Sequence, residues 1–230
     1  MFSHLPTPTL DPILSLSVAY SNDPRPDKVD LGIGVYKNST GETPVMKAIS
    51  QAQDIVVETQ KTKSYVGLAG CEEFNQSMVD LLLSGTSAMD RVAAIQTPGA
   101  SGALRMLGDL MKVAQPETTV WISNPSYVNH RPVMEAAGLK VKLYSYFSPE
   151  TKQVDTARML EELSQAGPKD VVLLHGCCHN PTGADIDFSA WQAVTELSQK
   201  NGFTPFVDIA YQGFGDGLEE DAKGLRFMAD

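Results

Sequence analysis

Residues 171–183 read Val171-Val172-Leu173-Leu174-His175-Gly176-Cys177-Cys178-His179-Asn180-Pro181-Thr182-Gly183. The first four side chains are apolar on successive positions, not on alternate ones. A strand with one wet face alternates; a strand covered on both faces does not. The run therefore predicts a buried strand, Val171 to His175, with helices above and below it. The polar loop behind it falls at the carboxyl end of that strand, where open parallel sheets bind their ligands.

Outward from this run the same rhythm repeats. Short β-rich stretches predict strands over Thr119–Ser123, Val141–Tyr146 and Thr204–Asp208. Apolar spacing predicts helices over Met46–Thr59, Glu72–Leu83, Gly102–Val113, Tyr127–Ala137, Asp155–Ala166, Asp187–Lys200 and Glu219–Asp230. Gly138, Gly167 and Gly202 stand where left-handed helix stops belong. Strands alternating with helices of this length form βαβ crossovers. The expected fold class is α/β, a mostly parallel sheet with helices on both faces. The stretch before residue 44 differs. It is rich in Pro and Asp, carries one glycine-punctuated apolar run from Leu31 to Val35, and reads as an extended arm plus a short strand. At the other end the chain stops in or just after a helix, where such a domain normally returns another strand, so the sequence reads as truncated there.

Composition narrows the function. The 230 residues carry 28 acidic and 18 basic side chains, a formal net charge of -10. That surplus argues against a nucleic-acid or anionic-membrane surface. No run approaches the roughly 20 apolar residues that span a bilayer. The opening MFSHLPTPTLDPILSL has neither the basic start nor the apolar stretch of a signal peptide. Three cysteines, Cys71, Cys177 and Cys178, two of them adjacent, make no disulfide framework. A reducing cytoplasm is the simplest expectation.

Four segments follow strands or open helices and carry polar chemistry. Thr97-Pro98-Gly99-Ala100-Ser101-Gly102 precedes a helix. It reads as a phosphate cradle of small residues and helix-start N–H groups, or as a turn capped by Ser101. Ser123-Asn124-Pro125-Ser126-Tyr127 offers an aromatic that either stacks on a planar ring or packs locally. In the 175–183 loop, His175, Cys177 and His179 invite a zinc reading, against a spacing unlike a standard finger. The other reading is a binding loop that presents the Asn180 amide. Asp208 ends a strand with Tyr211 three residues on. A carboxylate there needs a cation or donors; a protonated ring nitrogen would serve, as would a role as a cap.

Taken in order, these strings resemble the class I aminotransferases of fold type I, in the aspartate and aromatic amino-acid subgroup. The resemblance rests on Leu31-Gly-Ile-Gly-Val-Tyr-Lys37, Ser64-Tyr-Val-Gly67, Thr97-Pro-Gly-Ala-Ser-Gly-Ala-Leu-Arg105, Ser123-Asn-Pro-Ser126, the 175–183 loop and Asp208-Ile-Ala-Tyr-Gln-Gly-Phe214. It implies pyridoxal 5'-phosphate as cofactor, with amino-acid and 2-oxo-acid substrates. It implies that Asp208 pairs with the pyridine nitrogen, that Asn180 and Tyr211 bond the phenolic oxygen, and that Ala100 and Ser101 hold the phosphate. Tyr127 matches the aromatic that stacks on the ring, where the family usually has tryptophan; Ala100 stands where glycine is common. His175 and His179 match supporting residues behind the ring, His175 toward the Asp208 carboxylate. Gly34 matches a backbone contact to the substrate carboxylate, beside Tyr127 and Asn180. Tyr65 matches a tyrosine that reaches the neighbouring subunit's phosphate, which implies a homodimer.

The resemblance also divides the chain. Residues 1–43 would be an arm and part of a small domain, and residues 44–230 an incomplete cofactor-binding large domain. The family's cofactor-bearing lysine follows the Asp208 segment by a few tens of residues, and no lysine of this sequence lies in a matching segment. No catalytic residue is assigned for that reason. The expectation is an aminotransferase for aspartate-like or aromatic amino acids and 2-oxoglutarate, with this chain inactive alone; the alternative is a non-catalytic product that binds cofactor.

Overall fold

The computed structural model describes residues 12–30 and 34–230. The chain divides into two compact units, Met1–Ser64 and Tyr65–Asp230.

In the first unit, α1 spans Pro12–Asn22 and α2 spans Lys47–Thr59. The helix α1 corrects the expectation of an extended arm. Its proline sits at the first helical position, where no intrahelical N–H is needed. The Lys28 ammonium donates to the Tyr20 and Asp23 carbonyls, at 2.6 and 2.7 Å, and closes the far end. The expected strand from Leu31 to Val35 lies mostly outside the described residues; Gly34 and Val35 are exposed and irregular.

The second unit carries α3 (Glu72–Leu83), a 3-10 turn (Ser87–Arg91), α4 (Gly99–Ala114), β1 (Thr119–Asn124), α5 (His130–Ala136) and β2 (Lys140–Ser145). A two-residue hairpin follows, β3 (Phe147–Ser148) and β4 (Gln153–Val154), then α6 (Thr156–Leu163), β5 (Asp170–His175), α7 (Phe188–Asn201), β6 (Thr204–Asp208) and α8 (Leu218–Ala229). The main sheet runs β2-β1-β5-β6, every neighbouring pair parallel.

Alternate residues of the central strands feed two cores. Val120, Ile122, Val171 and Leu173 pack with Leu104 of α4 and Met134 of α5. Trp121, Val172 and Leu174 pack with Met159 and Leu163 of α6 and Ala190, Trp191 and Val194 of α7. The unbroken apolar run at 171–174 is thus explained by cover on both faces, as expected.

Local chemistry sets the helix ends. The Asp155 carboxylate accepts the Arg158 N–H at the start of α6, and the Asp187 carboxylate accepts the Ala190 N–H at the start of α7. Gly202, with φ +81°, closes α7 in the left-handed conformation. Three boundaries differ by three residues: α5 begins at His130, not Tyr127, because residues 127–130 form a turn in which the His130 N–H reaches the Tyr127 carbonyl; α4 begins at Gly99, not Gly102; and α6 ends at Leu163, not Ala166. Gly167 is not the left-handed stop expected of it, having no positive φ; its N–H donates to the Asp170 carboxylate at 2.8 Å.

The strand order places the site. From β1 the chain moves to β2 on one side; from β5 it moves to β6 on the other. The carboxyl ends of β1 and β5 therefore flank a point where the connections diverge, the place where such sheets open a crevice.

Candidate functional site

Three strand ends converge on that crevice. β5 ends at His175, which lies opposite Asp208, the last residue of β6. The Gly176 N–H then donates to the Asp208 carbonyl at 2.8 Å. A side chain at Gly176 would meet Ile209 at 2.7 Å, so glycine is what lets the two strand ends stay together. Both Asn124-Pro125, after β1, and Asn180-Pro181, after β5, are cis.

A cavity of about 170 Å³ opens here, lined by Ala100, Tyr127, His175, Cys177, Asn180, Asp208, Ala210 and Tyr211. Ala100, Tyr127, His175, Asn180, Asp208 and Tyr211 are site residues expected from sequence, and the fold brings them together. Ser101 lies one residue beyond Ala100, in the first turn of α4. Tyr65 is fully exposed and is not among the lining residues, and Gly34 belongs to the first unit. His179 is buried behind the cavity, stacked on Tyr146 with ring centroids 4.0 Å apart. Its ring nitrogens face the hydroxyls of Ser123, at 3.0 Å, and Thr182, at 2.9 Å.

The alternatives left open by sequence are resolved by these contacts. Ser101 is not a cap: the N-cap position of α4 is Pro98, and no side chain caps it. The Gly99 N–H of that 16-residue helix donates to the Thr97 carbonyl at 2.8 Å, and no side chain caps the N–H groups behind it. Asp208 stands at no helix start, since α8 has Gly217 at its N-cap, and its Oδ2 lies 2.8 Å from His130 Nε2. Of the residues that invited a zinc reading, the imidazoles of His175 and His179 face hydroxyls, and no group of three or more His, Cys, Asp or Glu is arranged for a metal among the described residues.

The most informative contact is not visible in the sequence. His130 opens α5, is fully buried, and donates to Asp208. Its Nδ1 lies 2.9 Å from Ser126 Oγ, which lies 3.1 Å from His175 Nε2. His175 Nδ1 faces the Asn180 backbone N–H at 3.4 Å. A backbone N–H can only donate, and with both imidazoles neutral this sets the direction of each bond in the chain. His175 Nδ1 accepts, so its Nε2–H donates to Ser126. The serine hydroxyl then donates to His130 Nδ1, which leaves His130 Nε2–H for the Asp208 carboxylate. His175 thus reaches the carboxylate through two intermediaries.

Electrostatics keeps this chain in place. Burial, reinforced by His179 and His130, lowers His175 to about 3. Burial likewise lowers His179 to about 4. Both imidazoles are neutral at pH 7, so each offers one donor and one acceptor. Tyr127 packs edge-on against His130, with centroids 5.3 Å apart, and its hydroxyl accepts from Asn129 Nδ2 at 2.8 Å. The phenol is thereby satisfied while its ring lines the cavity. A weak signal for His130 does exist: the chain has only four histidines, and one follows the Ser123–Tyr127 segment by three residues.

The arrangement pairs an oriented carboxylate, an uncapped helix start, an aromatic ring, a phenol and an amide around one small cavity. Against known families, residues 26–230 match the model for aminotransferase class I and II. The chain belongs to that aminotransferase family. It is 45% identical over 232 aligned residues to the aspartate aminotransferase of Salmonella typhi, covering 100% of this chain and 59% of that protein. It is 44% identical to the aromatic-amino-acid aminotransferase of Paracoccus denitrificans, covering 100% of this chain and 58% of that one. Among solved structures, the aromatic-amino-acid aminotransferase of Burkholderia pseudomallei, covalently bound to pyridoxal phosphate, superposes with a TM-score of 0.96 at 38% identity, over 100% of this chain and 58% of that one. This aminotransferase chain therefore spans a little under three fifths of the length of these relatives. Among its described residues, no helix is long and apolar enough to cross a membrane.

Proposed function

We propose that this chain carries the ring- and phosphate-binding side of a pyridoxal 5'-phosphate site. Its protein moves an amino group between an aspartate-like or aromatic amino acid and 2-oxoglutarate. The observation that carries the reading is the hydrogen-bond chain ending on Asp208. An acid held by a buried histidine at the rim of a cavity is built to meet a protonated ring nitrogen. Bound pyridoxal phosphate supplies an electron sink for the pair released when a substrate Cα loses its proton.

The chain's own residues divide the binding work. Asp208 holds the proton on the ring nitrogen, and His130 fixes the carboxylate's direction. Asn180 and Tyr211, which line the same cavity, would bond the phenolic oxygen. Tyr127 would cover one ring face and, with Asn180, border the substrate. The phosphate rests on the start of α4 at Ala100 and Ser101, where unpaired N–H groups and the positive end of the helix dipole favour an anion. Tyr65 reaches the phosphate of a second subunit in a cytoplasmic homodimer, a role its exposed ring suits. The boundary between an arm with part of a small domain (1–43) and the large cofactor domain (44–230) belongs to the same reading.

One observation favours a narrower reading for the chain acting by itself. None of the residues lining the cavity is a lysine. We infer that the chain alone binds the cofactor non-covalently and does not turn over. The test is a spectroscopic titration with pyridoxal phosphate, followed by borohydride reduction and peptide mapping. Saturable binding is expected, with no reduced adduct on a cavity residue. A charge-assisted hydrogen bond is worth about 1.5–3 kcal/mol, so Asp208→Asn is expected to weaken binding about ten- to a hundredfold. Equal affinity in the variant would refute the site.

A further inference from the structure

Asp221 has no part in the cofactor contacts proposed above, yet it is a buried acid in the first turn of α8. Its Oδ2 accepts the Gly213 N–H at 2.8 Å and the Gly215 N–H at 3.0 Å, and its Oδ1 accepts the Asp216 N–H at 2.8 Å. The Asp221 N–H itself donates to the Gly217 carbonyl at 3.0 Å. Backbone donors around an ionised carboxylate make strong hydrogen bonds, and the positive end of the helix supports the charge.

These bonds gather the loop that joins β6 to α8, and that loop carries Ala210 and Tyr211 to the cavity. Among the described residues, no hydrogen bond holds the Tyr211 hydroxyl. The place of the phenol is therefore set by its backbone. The Tyr211 carbonyl accepts the Phe214 N–H at 3.0 Å, so residues 211–214 form one turn, and Asp221 grips that turn at Gly213. Gly213 has φ +91°, a conformation that glycine adopts at no steric cost. At Gly215 a side chain would meet Asp221 Oδ1 at 2.6 Å, so glycine is what admits the carboxylate into the loop. Gln212 ties the turn to the Leu81 and Leu218 carbonyls, at 3.1 and 2.8 Å, and Asp221 fixes the residues that follow.

We propose that Asp221 is the positioning residue for Tyr211: its carboxylate collects the N–H groups of residues 213–216 and thereby sets the phenol at the cavity. The inference rests on the reading above, in which Tyr211 bonds the phenolic oxygen of the cofactor. Two substitutions disturb the contact from opposite sides. Asparagine has the shape of aspartate but one accepting oxygen, and its NH2 group would confront an N–H that needs an acceptor. A buried N–H left without a partner is costly, so the loop shifts to relieve it. Gly215→Ala keeps the charge and instead adds a methyl group against the end of the Asp221 side chain, which must move away.

The test is a ratio: the affinity of the 230-residue chain for pyridoxal 5'-phosphate over its affinity for 3-deoxypyridoxal 5'-phosphate, which lacks the phenolic oxygen. Fluorescence titration measures both. A residue that matters only for folding weakens the two ligands alike and leaves the ratio unchanged. Tyr211→Phe is expected to lower the ratio about tenfold or more. Asp221→Asn and Gly215→Ala should each lower it about fivefold or more. Combined with Tyr211→Phe, neither should lower it further than Tyr211→Phe alone, because all three act on one contact. Asp187→Ala, which removes the acceptor at the start of α7, should leave the ratio unchanged. The proposal is overturned if Tyr211→Phe lowers the ratio and either loop variant does not, or if the effects multiply in the double variants. A ratio that holds in Tyr211→Phe itself refutes the phenolic-oxygen contact, and the role of Asp221 falls with it. Gly215→Ala keeps the test decisive should Asp221→Asn fail to fold.

Discussion

Two helices of nearly equal length behave in opposite ways. In the first unit, α2 has 13 residues, an apolar stripe through Ile49, Ala52 and Val56, and not one buried side chain. In the second, α7 has 14 residues and buries Ala190, Trp191, Val194 and Thr195. Both satisfy the same apolar periodicity. Only α7 also has an acceptor at its start, a left-handed glycine at its end and a sheet beneath it. Periodicity makes a helix; a covered face makes it stable. The second unit therefore holds its own free energy of folding, and the site sits on that unit's most buried strands.

The sharpest way to break this contrast is truncation on both helices. Trp191 is buried, and the ring lies so close to Gly224 of α8 that a side chain there would approach to 2.4 Å. Trp191→Ala is expected to cost about 3–5 kcal/mol, and Val56→Ala on α2 about 0.5 kcal/mol or less. Urea denaturation followed by far-UV circular dichroism measures both. Comparable losses at the two positions would mean that burial does not separate the units.

Acid sharpens the contrast next, because it acts on the second unit through its histidines. His175 and His179 fall to about 3 and about 4 in the folded chain, against 6.5 for an ordinary imidazole. Below that ordinary value the unfolded chain takes up protons that the folded chain refuses. Stability is therefore fully present above 6.5 and drains as pH falls toward 4, by at most about 1.4 kcal/mol per pH unit for each histidine. Both tryptophans, Trp121 and Trp191, are buried in this unit, so their fluorescence reports it. His179→Gln is expected to flatten the slope between pH 6 and 4, and an unchanged slope would mean that His179 does not drive the loss. The smallest effect is at the cap. Asp187→Ala, which removes the acceptor for the Ala190 N–H, is expected to lower stability by about 1 kcal/mol in the same denaturation assay.

Much of this architecture is legible in the sequence because its causes are local. The unbroken run at 171–174, the glycine stop at 202 and the acids at 155 and 187 each have a short-range physical reason. α3 and β6 match their expected limits at both ends. The departures have longer-range or subtler causes. Proline weighs against α1, although at a first helical position it costs nothing. The hairpin of β3 and β4 has two residues in each strand, too few to leave a pattern. The site is readable wherever a functional side chain follows a strand. His130 and Ser126 escape a sequence reading because their role comes from burial and from the meeting of three strand ends, which no single segment encodes.

The proposed site depends above all on Asp208 as the partner of a protonated ring nitrogen, oriented by His130. The most direct measurement is the ¹⁵N chemical shift of pyridoxal phosphate labelled at the ring nitrogen and bound to the 230-residue chain at pH 8. A pyridinium signal in the wild-type chain, replaced by a neutral pyridine signal in Asp208→Asn, is the expected result. The same signal in both, or a neutral ring in the wild type, would contradict it.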